Sequence, residues 1–124
     1  MEIKSYKDLI VWQKAIMLVK EIFKLTDNFP KSEIFGLTSQ MRRSAISIPS
    51  NIAEGYGRKS VNERLQFHKI AYGSGLELET QLIITKELGF VDNDLYIQIE
   101  NLLKEVLKML NVITSRNKKL ISRS

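Results

Sequence analysis

The stretch that decides the fold is QMRRSAISIPSNIAEG, residues 40–55. Apolar residues recur through it at steps of three and four, starting just upstream: Leu37, Met41, Ala45, Ile48 and Ile52. This periodicity predicts one buried face of an α-helix. We expect the helix to begin at Ser32 and to kink at Pro49, where proline removes a backbone hydrogen bond. It should end at Gly55 and Gly57, because glycine tolerates a left-handed C-cap.

The opposite side of this helix is polar. Its members share helical spacing: Gln40, Arg43, Ser47, Ser50, Asn51 and Glu54. A later helix offers Ser74, Glu77 and Gln81 as partners. Two interpretations stay open: Arg43, Asn51 and Glu54 form a buried network with Ser74 and Glu77 that fixes one packing register, or the stripe is a partly solvated face. Glu54 and Arg58, four residues apart, are spaced to pair locally.

A helix with the same periodicity precedes this segment. Its apolar residues recur along one face: Leu9, Trp12, Ile16, Val19 and Phe23. We expect it to begin near Ser5, with Asp8 three residues on in a capping-box-like spacing. It should end before Pro30, because proline disfavours helical geometry in the residue before it.

Two further helices are predicted downstream. Ser60 and Glu63 form a capping box that should open the third helix, which runs to about Leu88 with Gly89 as its left-handed terminal residue. Asp92 or Asn93 should cap the fourth, whose apolar residues are nearly heptad-like: Leu95, Ile99, Leu102, Leu103, Val106, Leu107, Leu110 and Ile113.

The middle of the third helix holds Gly73-Ser74-Gly75. Each interior glycine costs roughly 1 kcal/mol relative to alanine. We expect the compensation to be the close approach of a neighbouring backbone.

The whole chain of 124 residues is predicted to form one all-α domain, an antiparallel up-and-down four-helix bundle. The basic tail, residues 115–124, should fray. The absence of cysteine excludes a disulfide framework and thiolate chemistry. No apolar run is long enough to span a bilayer, and the N-terminus has no secretory core, so we expect no membrane association and a cytoplasmic protein.

The charge is modestly positive. Lys and Arg number 19 against 14 Asp and Glu, for a net charge of +5 with His neutral. The excess is spread over the chain rather than gathered in a basic arm, so it is compatible with nucleic-acid binding and equally with simple solubility.

The chain lacks the constellations that enzymes need. A di-iron bundle requires Glu-x-x-His pairs, whereas Glu63 precedes the single histidine, His68, by five residues. Glu77 and Glu79, two apart on a helix, point to different sides and are interpreted as structural. The short Gly-x-Gly pairs lack the rest of a phosphate-binding motif. We therefore predict no catalytic residue, no metal site and no cofactor, and expect His68 at a surface or interface.

Three segments resemble one known family. They are residues 40–55, residues 9–15 (LIVWQKA) and residues 71–79 (AYGSGLELE). Together they are similar to the bacterial four-helix-bundle proteins first noted in intervening sequences of 23S ribosomal RNA genes.

The resemblance implies homopentamers with a central channel and no catalytic activity. Some members are similar to the accessory variability protein of diversity-generating retroelements, which pairs with a reverse transcriptase and binds nucleic acid through a basic surface. Matched to the family pattern, the expected packing and assembly residues are Arg43, Pro49, Asn51, Glu54, Gly55, Gly73, Ser74 and Glu77. The candidate nucleic-acid contacts are Arg42, Arg43, Arg58, Lys59, Arg116, Lys118 and Lys119, with Arg123 in the same basic tail.

Two functions follow from these observations. The first is a non-enzymatic oligomer that binds RNA or DNA, or a ribonucleoprotein, through phosphate contacts. The second is a protein-interaction module, for a reverse transcriptase or another protein, in which charge only maintains solubility.

Overall fold

The computed structural model describes residues 2–122, and four α-helices make up most of it. They are α1 Ile10–Thr26, α2 Ser39–Tyr56, α3 Val61–Glu87 and α4 Asn93–Ser122. Each helix packs on the next along the chain, and α4 packs back on α1. Because the connections after α2 and α3 are too short to cross the molecule, neighbouring helices run antiparallel. The predicted all-α, up-and-down bundle is confirmed.

The chain enters α1 through a separate turn. The Ser5 hydroxyl accepts a hydrogen bond from the Lys7 N–H at 3.1 Å, and the Asp8 carboxylate accepts one from the Ser5 N–H at 3.2 Å. This box closes a 3₁₀ turn, Tyr6–Asp8, after which Leu9 is extended, so α1 begins at Ile10 rather than near Ser5. The predicted capping box is confirmed, and the predicted helix start is corrected.

The start of α2 is also later than predicted. A 3₁₀ turn, Lys31–Glu33, and a π-helical turn, Ile34–Thr38, precede Ser39. Gly36 has the non-helical backbone angles φ −113° and ψ −113°. The break in this segment therefore lies at Gly36, while α2 runs unbroken through Pro49.

The remaining helix ends follow the sequence signals in most respects. The Ser60 hydroxyl caps α3 by accepting from the Glu63 N–H at 3.1 Å, and Asp92 caps α4 by accepting from the Leu95 N–H at 2.8 Å. Gly89 is left-handed (φ +75°), as predicted. Gly57, by contrast, ends α2 with φ −78°, so the left-handed cap expected there is wrong.

The core follows the predicted apolar faces of α2 and α4, but the predicted face of α1 is wrong. The buried stripe of α1 is Val11, Ala15, Leu18, Ile22 and Leu25, and the predicted residues beside it, from Leu9 to Phe23, are only partly buried. On α2 the apolar stripe from Met41 to Ile52 is buried, and Leu37 packs against it partly exposed. The largest fully buried side chains come from all four helices: Leu18, Ile22, Met41, Ile48, Ile52, Leu78, Leu82, Ile99, Leu103, Val106 and Leu110. Within residues 2–122, no helix has both the length and the apolarity to cross a membrane.

Candidate nucleic-acid and assembly surfaces

A ladder of small polar side chains joins α2 to α3. The Ser44 hydroxyl hydrogen-bonds the Glu77 carboxylate. One turn along, the Ser47 and Ser74 hydroxyl oxygens lie 2.7 Å apart. The Asn51 amide donates to the Ser47 hydroxyl at 3.0 Å and to the Ser47 carbonyl at 2.8 Å. Because each rung joins a particular residue pair, the ladder fixes the register of the two helices.

The ladder differs from the predicted network in its members. Asn51, Ser74 and Glu77 belong to it, but Arg43 and Glu54 are exposed and make no hydrogen bond to it among the described residues. Glu54 instead pairs with Arg58 at 3.0 Å, as its spacing predicted. Sequence reasoning missed Ser44, although its position three residues before Ser47 already placed it on the same helical face.

The two glycines of α3 have different surroundings. A Cβ added at Gly75 would lie 2.5 Å from Leu107 Cδ2 of α4, whereas one added at Gly73 would meet nothing within 4 Å. The expected close approach is therefore confirmed for Gly75, although the neighbour is a side chain rather than backbone. For Gly73 the expected close approach is wrong, because no described atom of another helix lies near it.

Gly73 lies in the middle of an exposed apolar face of α3, which we call the outer face. Its members follow one another mostly at helical steps: Ile70, Gly73, Leu76, Thr80, Ile83, Ile84 and Leu88. The four large aliphatic residues from Ile70 to Ile84 are each 42–50% exposed. The solvent side of α3 thus carries four large aliphatic residues around Gly73, together with the exposed carboxylate Glu77.

A second apolar surface lies on the far side of the bundle. The N-terminal segment, the start of α1 and the second half of α4 border a groove of about 790 Å³. Ile3, Ile10 and Val112 line it and are 44–60% exposed. Because α3 packs on α2 and α4 rather than on α1, this groove and the outer face point in different directions.

The two neighbouring arginines of α2 have different roles. Arg42 donates to the Thr26 hydroxyl at 2.9 Å and to the Asp27 carboxylate at 2.8 Å, and its guanidinium lies 4.5 Å from the centre of the Phe23 ring. It therefore ties α2 to the end of α1. Arg43 is exposed, and its guanidinium has no partner in the part of the chain that the structure describes.

The other candidate cations are exposed. Arg58 pairs with Glu54 and lies 4.7 Å from the centre of the Phe67 ring, so it is partly engaged. Lys59 follows it in the α2–α3 connection. Arg116 lines the far-side groove, and Lys118 and Lys119 extend into solvent from the end of α4. Arg123 lies outside the described residues.

The tail that was expected to fray is helical to Ser122. Asn117 in this segment is buried, and its amide donates to His68 Nδ1 at 2.8 Å. Gly55 packs on the other side of the ring, where an added Cβ would lie 3.0 Å from Nε2. His68 thus joins α2, α3 and α4, at an interface between helices.

Burial lowers the pKa of His68, and the Arg64 guanidinium lowers it further. Its neutral ring is thereby favoured. Across residues 2–122, no three His, Cys, Asp or Glu side chains are grouped so that they could hold a metal ion. Glu77 and Glu79 do not converge: Glu77 bonds to α2 through Ser44.

Comparison with known proteins finds a matching family and a matching solved fold. A family model described as 23S rRNA-intervening sequence protein matches residues 7–112, which include α1, α2, α3 and the first two-thirds of α4. A solved structure of a protein of unknown function from the S23 ribosomal protein family of Bacteroides thetaiotaomicron has a TM-score of 0.77 to this chain. The two chains are 25% identical in sequence, and their alignment covers 85% of this chain and 98% of the solved one. No curated protein matches the sequence significantly.

Proposed function

Because the chain belongs to the 23S rRNA-intervening sequence protein family, we propose that it is a non-enzymatic protein that assembles into a homo-oligomer and binds RNA through exposed cations. The family resemblance implies five subunits. The observation that carries the proposal is Gly73, a helix-interior glycine at the centre of an exposed apolar face.

The two apolar surfaces support a ring. A cyclic assembly with more than two subunits needs two different complementary surfaces on each subunit. The outer face of α3 and the far-side groove supply two such surfaces, pointing in different directions. At Gly73 the missing side chain would let the neighbouring subunit approach the backbone of α3 closely.

Cations on the surface support the RNA contact. Arg43, Lys59, Lys118 and Lys119 are exposed and have no partner among the described residues. In a ring each would be repeated by every subunit, so the modest charge of one chain would be multiplied around the assembly. Phosphate contacts of this kind give affinity with little reading of the base sequence.

Assembly is tested with a charge on the outer face. Leu76→Glu should leave a folded monomer, because a buried unpaired carboxylate is costly at an apolar interface. The matched control is Met17→Glu, at another exposed apolar residue, on α1 outside both surfaces. Light scattering gives the subunit number, and a monomeric wild-type protein at micromolar concentration would refute the oligomer.

RNA binding is tested by filter binding at about 50 mM and 200 mM salt. The double variant Lys118→Gln/Lys119→Gln should reduce the salt dependence, by roughly 0.7–0.9 in the logarithmic slope for each phosphate that the variant no longer neutralises. Lys20→Gln, at an exposed lysine of α1, is the control. Wild-type protein that retains no RNA even at the lower salt would overturn this part of the proposal.

The exposed apolar faces also favour a second function, that of a protein-interaction module for a reverse transcriptase or another protein, without RNA binding. Arg43→Glu separates the two. If RNA is the partner, Arg43→Glu should weaken RNA binding and leave the subunit number unchanged. Under the second function the wild-type protein binds no RNA, and the charge reversal disturbs assembly alone. Arg42→Glu is unsuitable, because it would break the contacts with Thr26 and Asp27 and disturb the fold.

A further inference from the structure

One aromatic ring stands almost free in solvent. Phe35 is 96% exposed, on the π-helical turn next to the irregular Gly36. Among the described residues it stacks on no other ring and lies over no cation. A phenyl side chain usually contributes a large buried apolar area to a protein. The position of Phe35 is therefore not explained by packing within this chain.

A cavity of about 620 Å³ lies beside the ring, at the corner between α1 and α2. This volume is within the range of small-ligand sites. Both connecting turns and the adjacent helix ends form the wall: Thr26, Asp27, Phe29, Lys31, Ile34, Phe35, Thr38, Ser39 and Arg42. Phe35 is thus one side of a cleft large enough for a nucleobase with its sugar.

The charges around the cleft favour an anionic ligand. Arg42 and Asp27 in the wall neutralise each other through their 2.8 Å bond. Lys31, also in the wall, is exposed and has no partner within residues 2–122. Arg43 lies one helical turn beyond the wall residue Ser39, on the same side of α2, and is likewise unpaired. One free cation therefore lies in the wall of the cleft, and a second lies on the adjacent turn of α2.

The wall also holds an unsatisfied polar group. Thr38 is 6% exposed, and its hydroxyl oxygen has no hydrogen-bond partner in the described part of the chain. A buried hydroxyl without a partner carries a desolvation cost. Because this oxygen is shielded from solvent, the cleft itself offers a stacking surface and one unpaired cation, Lys31, with Arg43 on the next turn of α2.

We propose that this cleft binds an unpaired nucleotide of single-stranded RNA. The base stacks on the face of Phe35, and the neighbouring phosphates lie at Lys31 and Arg43. Exposed aromatic rings beside cations bind single strands in this way with little preference for sequence. The inference rests on the proposed RNA binding and adds its location and the class of RNA. The wall also includes the exposed apolar residue Ile34, but a protein partner is less favoured, since the unpaired cation Lys31 stands in the same wall.

The experiment compares two labelled probes by fluorescence anisotropy at low salt: a short oligouridylate and an RNA duplex of equal length. Phe35→Ala should weaken oligouridylate binding by roughly 5- to 150-fold, as expected for the loss of one base–aromatic stack, and leave duplex binding unchanged. Phe35→Trp should retain it. Lys31→Gln should lower the logarithmic salt slope by about 0.7 for the single strand. Met17→Ala, at an exposed apolar residue outside both assembly surfaces, and Lys20→Gln are the matched controls.

Three outcomes would overturn the inference, and they differ in what they say about the proposed function. If wild-type protein binds the probes and Phe35→Ala binds the single strand as tightly, the cleft is not the site, while the proposed function stands. If Phe35→Ala changes the subunit number and not the affinity, the ring is a contact between copies and the inference is wrong. If wild-type protein binds neither probe, both the inference and the proposed RNA binding fall. Circular dichroism checks that the variants fold, which the exposure of Phe35 leads us to expect.

Discussion

Gly73 and Gly75 are two residues apart on one helix, yet packing within the chain accounts for the glycine at position 75 and not for the one at position 73. Gly75 faces α4, where Leu107 occupies the space that a side chain would need. Gly73 faces solvent, with open space around it. Residues two apart on a helix point to different sides, so identical residue types met different environments. The side of α3 at Gly75 is covered by α4, whereas the outer face is left uncovered.

Ser74, between them, points a third way and bonds to Ser47 of α2. Three consecutive residues thus serve the α4 contact, the α2 contact and the outer face. Substitutions at these positions separate what stabilises one chain from what joins several.

Gly75→Val should have the largest effect. Its side chain would overlap Leu107, and overpacking of a core costs about 1–3 kcal/mol. Urea denaturation of the dissociated chain measures the destabilisation, with Gly73→Val as the matched control, since within one chain it adds the same side chain where nothing is within 4 Å. Equal destabilisation of the two variants would contradict the assigned difference between the two sides.

Gly73→Ala should act in opposite directions on the chain and on the assembly. Alanine in a helix interior gains roughly 1 kcal/mol over glycine, so the dissociated chain should be more stable. The new methyl group should hold the neighbouring subunit away, so association should weaken. Sedimentation velocity over a dilution series measures association, and unchanged or tighter association would remove Gly73 from the interface.

Ser74→Ala should cost about 0.5–1.5 kcal/mol for the missing bond to Ser47, less a few tenths regained in helix propensity. Subunit number should not change, because the ladder lies within one chain. Thermal unfolding with light scattering tests both points, and Thr80→Ala, on the outer face, is the control. A monomeric Ser74→Ala protein would place the ladder in the subunit contact instead.

The smallest effect should be the pH dependence of stability that comes from His68. Like Gly75, this α3 residue contacts α4. Its pKa is lowered in the folded chain from the ordinary 6.5, so the unfolded chain takes up the proton first as the pH falls. The stability from this group should be complete above about pH 7.5 and decrease as the pH falls through 6.5. Urea denaturation above about pH 7.5 and below pH 6.5 measures the change in the free energy of unfolding with pH. This change should be smaller in His68→Gln than in the wild-type protein, and equal changes would show that His68 makes no contribution.

Much of the fold follows from local sequence signals. The four periodic segments, the Ser5, Ser60 and Asp92 caps and the Gly89 terminus all act within a few residues, and the structure confirms them. The later start of α2 was not predictable in this way. The apolar residues keep their helical spacing in the sequence on both sides of Gly36, so the pattern gives no sign of the non-helical backbone there.

The candidate site was predicted less completely. Arg42 and Arg43 are adjacent and chemically identical, but the end of α1 engages one and leaves the other free. The tail was expected to fray because it is basic and polar, and the bond from Asn117 to His68, 49 residues away, holds it in place. Such partners are absent from any local window of sequence.

The sequence by itself determined that this chain is helical, where α3 and α4 are capped and which stripes of α2 and α4 are buried, because helix periodicity and capping are properties of neighbouring residues. The tertiary structure alone decided which side of α3 meets α2, which meets α4 and which stays uncovered. That choice depends on the rotation of each helix about its axis, which is set by packing between residues far apart in the chain.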